Sequence, residues 1–354
     1  MESKTERPDY WKTRLDEVDS IMKTVQKGKV SVITKSAGGR DVYLVEYGEK
    51  QDFHRTANYS SAMGAGSSKH FADRSGKKPV VLLIGAEHGG ETEGTAAILN
   101  FIQMIETGKD FRNYINPFLA ECINNCRLLM IPVANPDGRA RMPFDTFHGM
   151  NYEQFRHWGQ GRWKDGTLCE YPACKTIHPI KDHVSFLGTY YNDDGINIVH
   201  DDFFGEKANE TRAIFEISER ESPDVTIHLH GGGSVINEID HADHMPLYAK
   251  EWVQELKMRV KAETDKLGLP SLINQIRKED FCPPRTFNLF SALHFLCGTI
   301  SILYESNQGL NLTGERELDP AWETVFSFEE ILILHYVLFE QTIKFAHENC
   351  VSLA

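Results

Sequence analysis

An α/β fold is the architecture this sequence predicts, on three observations. Val80, Val81, Leu82, Leu83 and Ile84 form an unbroken apolar run, the pattern of a central strand covered on both faces. A helix-period segment follows it directly, and strand and helix patterns then alternate along the chain, as in domains built on a sheet with helical cover. The 354 residues are 41% hydrophobic and 10% aromatic, enough for a sizeable core in one large domain. Residues 1–27 are assigned to an N-terminal helix and 28–354 to a single domain.

The elements follow in order. Trp11, Leu15, Val18, Ile21, Met22 and Val25 recur at helical spacing, which predicts a helix over 10–27. Short β-branched strands come next at 30–34 and 42–47, joined through Ser36-Ala37-Gly38-Gly39, whose glycines permit a tight hairpin connection. Residues 50–78 are polar, rich in glycine and serine and without a period, and are expected to form a mobile surface loop. After the strand at 79–84, Ala96, Ala97, Leu99, Ile102 and Ile105 mark the inner face of a helix over 91–107. Arg127 to Val133 is the next strand, closed by the turn signal Asn135-Pro136-Asp137-Gly138. Residues 139–191 show no clear period but are dense in aromatics, glycines and histidines, a long segment of the kind that carries function. A helix over 208–221 is stopped by Pro223-Asp224 before the strand Val225-Thr226-Ile227-His228. Amphipathic helices are expected at 246–267 and 327–347, and a last buried strand runs from Thr299 to Tyr304 and ends at Glu305.

Composition excludes several classes. A net charge of -13 argues against an electrostatic binder of nucleic acid. No window approaches eighteen apolar residues, so no membrane span is expected, and the charged N-terminus lacks the apolar core of a secretory leader. A cytoplasmic location is therefore expected, with secretion open if a leader has been trimmed. Seven cysteines lack zinc-finger spacing, and apolar settings such as those of Cys126 and Cys297 favour reduced, buried thiols. Cys169 and Cys174 could pair.

Metal-competent residues gather where the predicted strands stop: Glu87, His88 and Glu91 after the first apolar run, Asn135 and Asp137 after the second, His228 and His230 after the third, and Glu305 at the last. The carboxyl ends of strands are where open α/β sheets bind ligands. His88 and Glu91, three residues apart in a turn, project to one side and offer an imidazole nitrogen and a carboxylate oxygen, donors that suit zinc. A catalytic site of the two-histidine, one-glutamate kind needs one further histidine and keeps a position open for water.

Taken together these residues resemble the zinc carboxypeptidase family of the carboxypeptidase A and B kind, in a divergent, bacterial-type form. Its landmarks occur in order: Gly39-Arg40-Asp41-Val42, His88-Gly89-Gly90-Glu91, Asn135-Pro136-Asp137-Gly138, Asn209-Glu210-Thr211-Arg212-Ala213, Thr226-Ile227-His228 and Tyr304-Glu305. The resemblance spans about 28–345 and implies a mixed, roughly eight-stranded twisted sheet flanked by helices on both faces, one Zn2+ per chain, and hydrolysis of an amide bond by the domain at 28–354. It makes His88, Glu91 and His228 the zinc ligands and Glu305 the general base. Two neutral imidazoles and one carboxylate leave such a metal positive enough to acidify bound water toward a pKa of ~7. A carboxylate across the cleft takes a proton and hands it to the leaving nitrogen. His230 is the rival of His228. His228 is preferred because Thr226-Ile227-His228 matches the ligand-bearing strand end and because Gly231-Gly232-Gly233 predicts that the strand is breaking at His230, which then lines the pocket.

Two departures bear on the substrate. The family holds a substrate's terminal carboxylate with an Asn-Arg pair, and here Val199 and His200 stand in the corresponding segment, followed by Asp201 and Asp202. Neither valine nor neutral histidine replaces the planar fork of arginine. The arginine expected to stabilise the oxyanion is sought among Arg139, Arg141, Arg156 and Arg162, with Arg156 and Arg162 at about the right distance from the turn. Residues 270–303 contain no tyrosine, although the family presents one over the substrate there, and Pro283-Pro284-Arg285 predicts a stiff loop instead. The expected activity is thus zinc-dependent hydrolysis of a peptide or small acyl-amino compound. A true carboxypeptidase releasing C-terminal residues is the alternative, and a non-catalytic binding protein of the same fold is the alternative of another class. No Gly-x-Ser-x-Gly elbow supports a serine hydrolase.

Overall fold

A computed structural model describes residues 6–232, 238–269, 287–311 and 325–349. A seven-stranded mixed sheet runs in the order β1-β2-β4-β3-β7-β9-β8, and a separate two-stranded sheet pairs β5 with β6. The strands of the main sheet are β1 (Lys29–Lys35), β2 (Asp41–Tyr47), β3 (Val80–Gly85), β4 (Arg127–Ile131), β7 (Val225–Gly232), β8 (Glu238–His241) and β9 (Ile300–Asn307). The four central strands β4, β3, β7 and β9 are parallel, and the edges add antiparallel pairs. Every residue of β3 and β4 is buried, which is why both read as continuous apolar runs rather than alternating ones.

The strands are linked by α1 (Leu15–Met22), α2 (Tyr59–Gly64), α3 (Glu93–Thr107), α4 (Pro117–Glu121), α5 (Pro136–Arg141), α6 (Tyr152–Gln160), α7 (Asn209–Glu221), α8 (Leu247–Lys266), α9 (Leu289–Cys297) and α10 (Phe328–Asn349). Helices α3, α8 and α10 pack on one another and on the sheet, while α7 and α9 pack together over β1 and β9. The two groups lie on opposite faces: Leu229 of β7 meets α3 at Gly94, whereas the next residue along the other face, His228, meets Phe290 of α9.

Several expectations shift. The first helix spans only Leu15–Met22, because Glu17 turns back to accept from the backbone of Thr13 (2.9 Å) and Arg14 (3.0 Å), fixing its start. Trp11, Val18, Ile21 and Met22 join the same hydrophobic cluster as the sheet. Residues 50–78 are not a bare surface loop. They contain α2, capped by Asn58, and bury Phe53, Tyr59, Ala62 and Phe71, while Arg74 reaches Asp224 at 2.9 Å. These anchors are too widely spaced to give a period. Asn135-Pro136-Asp137-Gly138 opens a short helix rather than a plain turn, with Asn135 accepting from the Gly138 amide and Pro136 in the first turn. The segment 139–191 supplies α6 and the small sheet of β5 (Gly161–Trp163) and β6 (Val184–Leu187). Helix α9 and strand β8 have no counterpart in the sequence expectations. Pro283, Pro284 and Arg285 lie outside the described residues. Cys169 and Cys174 are free, buried thiols. Among the described residues no helix is long and apolar enough to cross a membrane.

One core histidine makes stability acid-sensitive. His335 of α10 is fully buried, with Nδ1 2.8 Å from the carbonyl of Ile331 and Nε2 unpartnered. Burial pushes its pKa down from 6.5 to about 4, the bond to Ile331 only partly opposing. A histidine that resists protonation when folded favours the unfolded chain once protons are available. Stability is therefore intact above pH 6.5, falls as pH drops through that value, and has lost on the order of 3 kcal/mol from this group by about pH 4. His335→Leu is expected to flatten that slope in urea titrations at pH 7, 5 and 4. An unchanged slope contradicts the assignment.

Candidate metal centre

The site is built at the carboxyl end of β3. After Gly85 the chain turns through Ala86, in the left-handed region at φ 48°, and the Glu91 amide donates to the carbonyl of His88 at 2.9 Å. That turn explains the spacing of three. The two glycines between them are set by packing: a Cβ at Gly89 would lie 2.2 Å from the amide nitrogen of Arg139, and one at Gly90 would lie 2.3 Å from Oγ1 of Thr189. The loop is pressed between the start of α5 and residues 188–190, and the Gly89 amide donates to the Thr189 carbonyl at 2.9 Å.

His88, Glu91 and His230 come together, all buried, with one ligand atom from each within 4.8 Å of the others. Nδ1 of His88 lies 3.0 Å from Oε1 of Glu91, and Nδ1 of His230 lies 2.9 Å from Oε2. The Gly231 amide donates to the same Oε2 at 3.2 Å. Two imidazole nitrogens facing one carboxylate are a donor set that fits a divalent metal of the zinc type.

His228, the expected ligand, does not join them. Its Nδ1 contacts Oε1 of Glu87 at 2.7 Å and its Nε2 contacts Oγ of Ser301 at 3.0 Å. The reason is register. His228 pairs with Ile84 while β3 is still extended, so it sits one step too deep in the sheet. His230, two residues on and on the same face, clears the end of β3 and meets the turn. Strand β7 does not break there: its pairing with β9 continues through Gly232 opposite Asn307. Gly231 answers a close approach instead, since a Cβ at that position would lie 2.5 Å from Nε2 of Gln308 and 2.7 Å from Oε2 of Glu93.

Glu87 ties the two histidines together. It is fully buried and accepts from His228 through Oε1 and from His230 Nε2 through Oε2, each at 2.7 Å. Burial drives its carboxyl toward neutrality, but His228 and His230 outweigh that and hold its pKa at about 2. Burial likewise opposes the charge on Glu91, and the flanking His88 and His230 win, holding it well below the usual carboxylate range. Burial pushes His88 down, whereas His230, between Glu91 and Glu87, is raised well above its ordinary value despite burial.

Glu305 is the β9 partner of His230 in the register, and alternation puts it on the face of Ser301, which touches His228. Two aromatic rings pack on the site: Phe290 meets His230 edge-on at 5.6 Å, and Tyr190 covers His88. Tyr190 stacks on His88 with centroids 3.9 Å apart and planes 1° from parallel, and its hydroxyl is within electrostatic reach of Glu91 and Glu305. Burial first and these acids next keep its phenol pKa far above 10. The sequence held no signal for Tyr190 beyond the aromatic density of 139–191.

The candidate arginines are committed elsewhere. Arg141 donates to the carbonyls of Gly188 (2.7 Å) and Tyr191 (3.0 Å) and to Asp193 (2.5 Å). Arg156 pairs with Glu170 at 2.6 Å and lies over Tyr152. Arg162 donates to His157 (3.1 Å) and the Gly166 carbonyl (2.9 Å), and Arg139 is buried against Thr13, Met142 and Asp145. His200 is nearer. Burial, Lys175, His88 and His230 together depress its pKa to about 3, and its Nε2 lies 2.7 Å from the Lys175 ammonium. Asp201 is turned away, its carboxylate accepting from the amides of Ala208 (2.9 Å) and Asp202 (2.8 Å).

A histidine, a glutamate and a second histidine thus converge at the carboxyl ends of the parallel central strands, with Glu305 in register beside them, in a cluster that fits a metal ion. The model of the zinc carboxypeptidase family matches residues 19–271, and the chain belongs to that family as a zinc metallopeptidase. Similar solved structures include a metallo-carboxypeptidase from Burkholderia cenocepacia, 13% identical, with 94% of this chain and 69% of that one covered at a TM-score of 0.57. A metallo-carboxypeptidase from Pseudomonas aeruginosa, solved with (2-guanidinoethylmercapto)succinic acid, is 10% identical over 94% and 69% of the two chains, TM-score 0.54. Thrombin activatable fibrinolysis inhibitor is 12% identical over 98% and 82%, TM-score 0.57. At these identities the likeness is one of fold. No curated protein sequence matches.

Proposed function

We propose that the chain hydrolyses an amide bond in a peptide or small acyl-amino compound, with one zinc ion held by His88, Glu91 and His230 and with Glu305 as general base. The observation that carries this reading is the pair of Nδ1 atoms, from His88 and His230, meeting the Glu91 carboxylate at 3.0 and 2.9 Å beside Glu305. Zinc at these residues supplies Lewis acidity toward a carbonyl and lowers the pKa of water. Glu305 takes the water's proton and returns it to the departing nitrogen. Glu87 fixes the ring of His230 by accepting at Nε2, which leaves Nδ1 for the metal, and His228 steadies Glu87 in turn.

Val199 and His200 stand where the family's carboxylate-binding Asn-Arg pair is expected. Val199 is buried, and Arg139, Arg141, Arg156 and Arg162 bond partners outside the ligand cluster. The leading reading is therefore a substrate that does not require a free C-terminal carboxylate. The carboxypeptidase alternative rests on one observation, the Lys175 ammonium at His200, a cation near the site. The zinc-loaded protein, assayed on matched peptides with free and amidated C-termini, is expected to cleave both at comparable rates. A strict requirement for the free carboxylate overturns the substrate reading and favours Lys175 as its anchor.

A further inference from the structure

We infer that the Tyr190 hydroxyl is the donor that stabilises the oxyanion of the tetrahedral intermediate, in place of the arginine that the sequence led one to expect. The inference rests on the amide-hydrolase reading above. Its first support is position. Tyr190 stacks flat on His88, 3.9 Å away, and its hydroxyl is within electrostatic reach of both Glu91, a proposed metal ligand, and Glu305, the proposed base. A carbonyl attacked between those groups develops its negative charge within reach of that hydroxyl.

The second support is rigidity. The Tyr190 amide donates to the Gly159 carbonyl at 3.0 Å and the Thr189 amide to Trp158 at 2.8 Å, while Arg141 grips the carbonyls of Gly188 and Tyr191 on either side. The ring sits over Gly159, where a Cβ would approach it to 3.2 Å. A donor held this way is oriented before the reaction, which is what gives oxyanion stabilisation its size. The third support is the competition. Arg141, Arg156 and Arg162 spend their guanidinium groups on partners away from the cluster, and Arg141 in particular holds the tyrosine's own loop.

With Glu91 serving as a metal ligand, the Tyr190 O–H would be the donor facing the substrate. No covalent step involves the phenol. It gives a hydrogen bond to the oxygen that gains the electron pair and keeps its proton.

Tyr190→Phe retains the ring and its stack on His88 while deleting the hydroxyl. Three readouts apply: zinc affinity by chelator competition, kcat and KM on an amide substrate, and calorimetric affinity for a phosphinic pseudo-dipeptide, whose tetrahedral anion mimics the intermediate. The expected result is unchanged zinc affinity, a kcat lower by about a hundredfold or more with little change in KM, and a matching loss of phosphinate affinity. Unchanged kcat and phosphinate affinity overturn the inference. So does lost zinc affinity with kcat restored at saturating zinc, which assigns the hydroxyl only to holding Glu91. Wild-type protein that binds zinc and phosphinate but cleaves no amide defeats the hydrolase reading, while the phosphinate comparison still decides the role of Tyr190.

Discussion

Replacing His230 by alanine is expected to abolish stoichiometric zinc binding at micromolar concentrations, with amide hydrolysis lost in parallel. The variant removes one of three donors and leaves Glu91 and Glu87 facing a void. His228→Ala and Glu87→Gln provide the scale. Both act through their bonds to the ligand rather than as ligands, so each is expected to weaken zinc binding by about 10–100-fold and to regain activity when zinc is raised. His230→Ala is expected to exceed that range and not to be rescued. Zinc titration against a chromophoric chelator reads all three. The reverse ranking, with His228→Ala the more damaging and beyond rescue, returns the ligand role to His228 and contradicts the geometry, in which both His228 nitrogens are occupied by Glu87 and Ser301.

Glu305→Gln is expected to lower kcat by 10²–10⁴-fold, on the order typical of a lost general base, while zinc affinity stays as in the wild type. The amide keeps the size of the side chain but cannot accept the proton. Because Glu305 belongs to β9 beside His230, the control is metal content: a variant that loses zinc as well has been disturbed structurally and says that Glu305 supports the site rather than serving the reaction. A zinc-replete variant with undiminished kcat assigns the role of base to another group.

Much of this was legible in the sequence because the central strands are buried on both faces and therefore appear as plain apolar runs, from Val80 to Ile84 and from Arg127 onward. Chemistry then had to lie at their carboxyl ends. The ordered landmarks also turn out to be physically joined. Arg40 reaches Asp137 at 2.7 Å and Asp193 at 2.8 Å, while Glu210 accepts from the amide of Ala37 and from Asn192. Conversely, the choice between His228 and His230 turned on reading three glycines as a strand ending. Local composition cannot tell a glycine that breaks a strand from one required by a neighbour, and Gly231 is of the second kind because Gln308 and Glu93 crowd it. Tyr190 was invisible for a related reason. Its approach to His88 depends on a loop about a hundred residues away being folded against the Gly89 turn, and nothing periodic in 139–191 records that contact. The buried part of 50–78 escaped notice because isolated anchors such as Phe53 and Phe71 sit among polar residues.

The central claim is that His88, Glu91 and His230 hold the metal. A crystal of the zinc-soaked protein, with diffraction recorded on both sides of the zinc absorption edge, tests it most directly. The account predicts one anomalous peak per chain, bonded at roughly 2.0–2.2 Å to Nδ1 of His88, a carboxylate oxygen of Glu91 and Nδ1 of His230, with His228 still on Glu87. A peak bonded to His228, or no peak at these residues in crystals equilibrated with zinc, would contradict it.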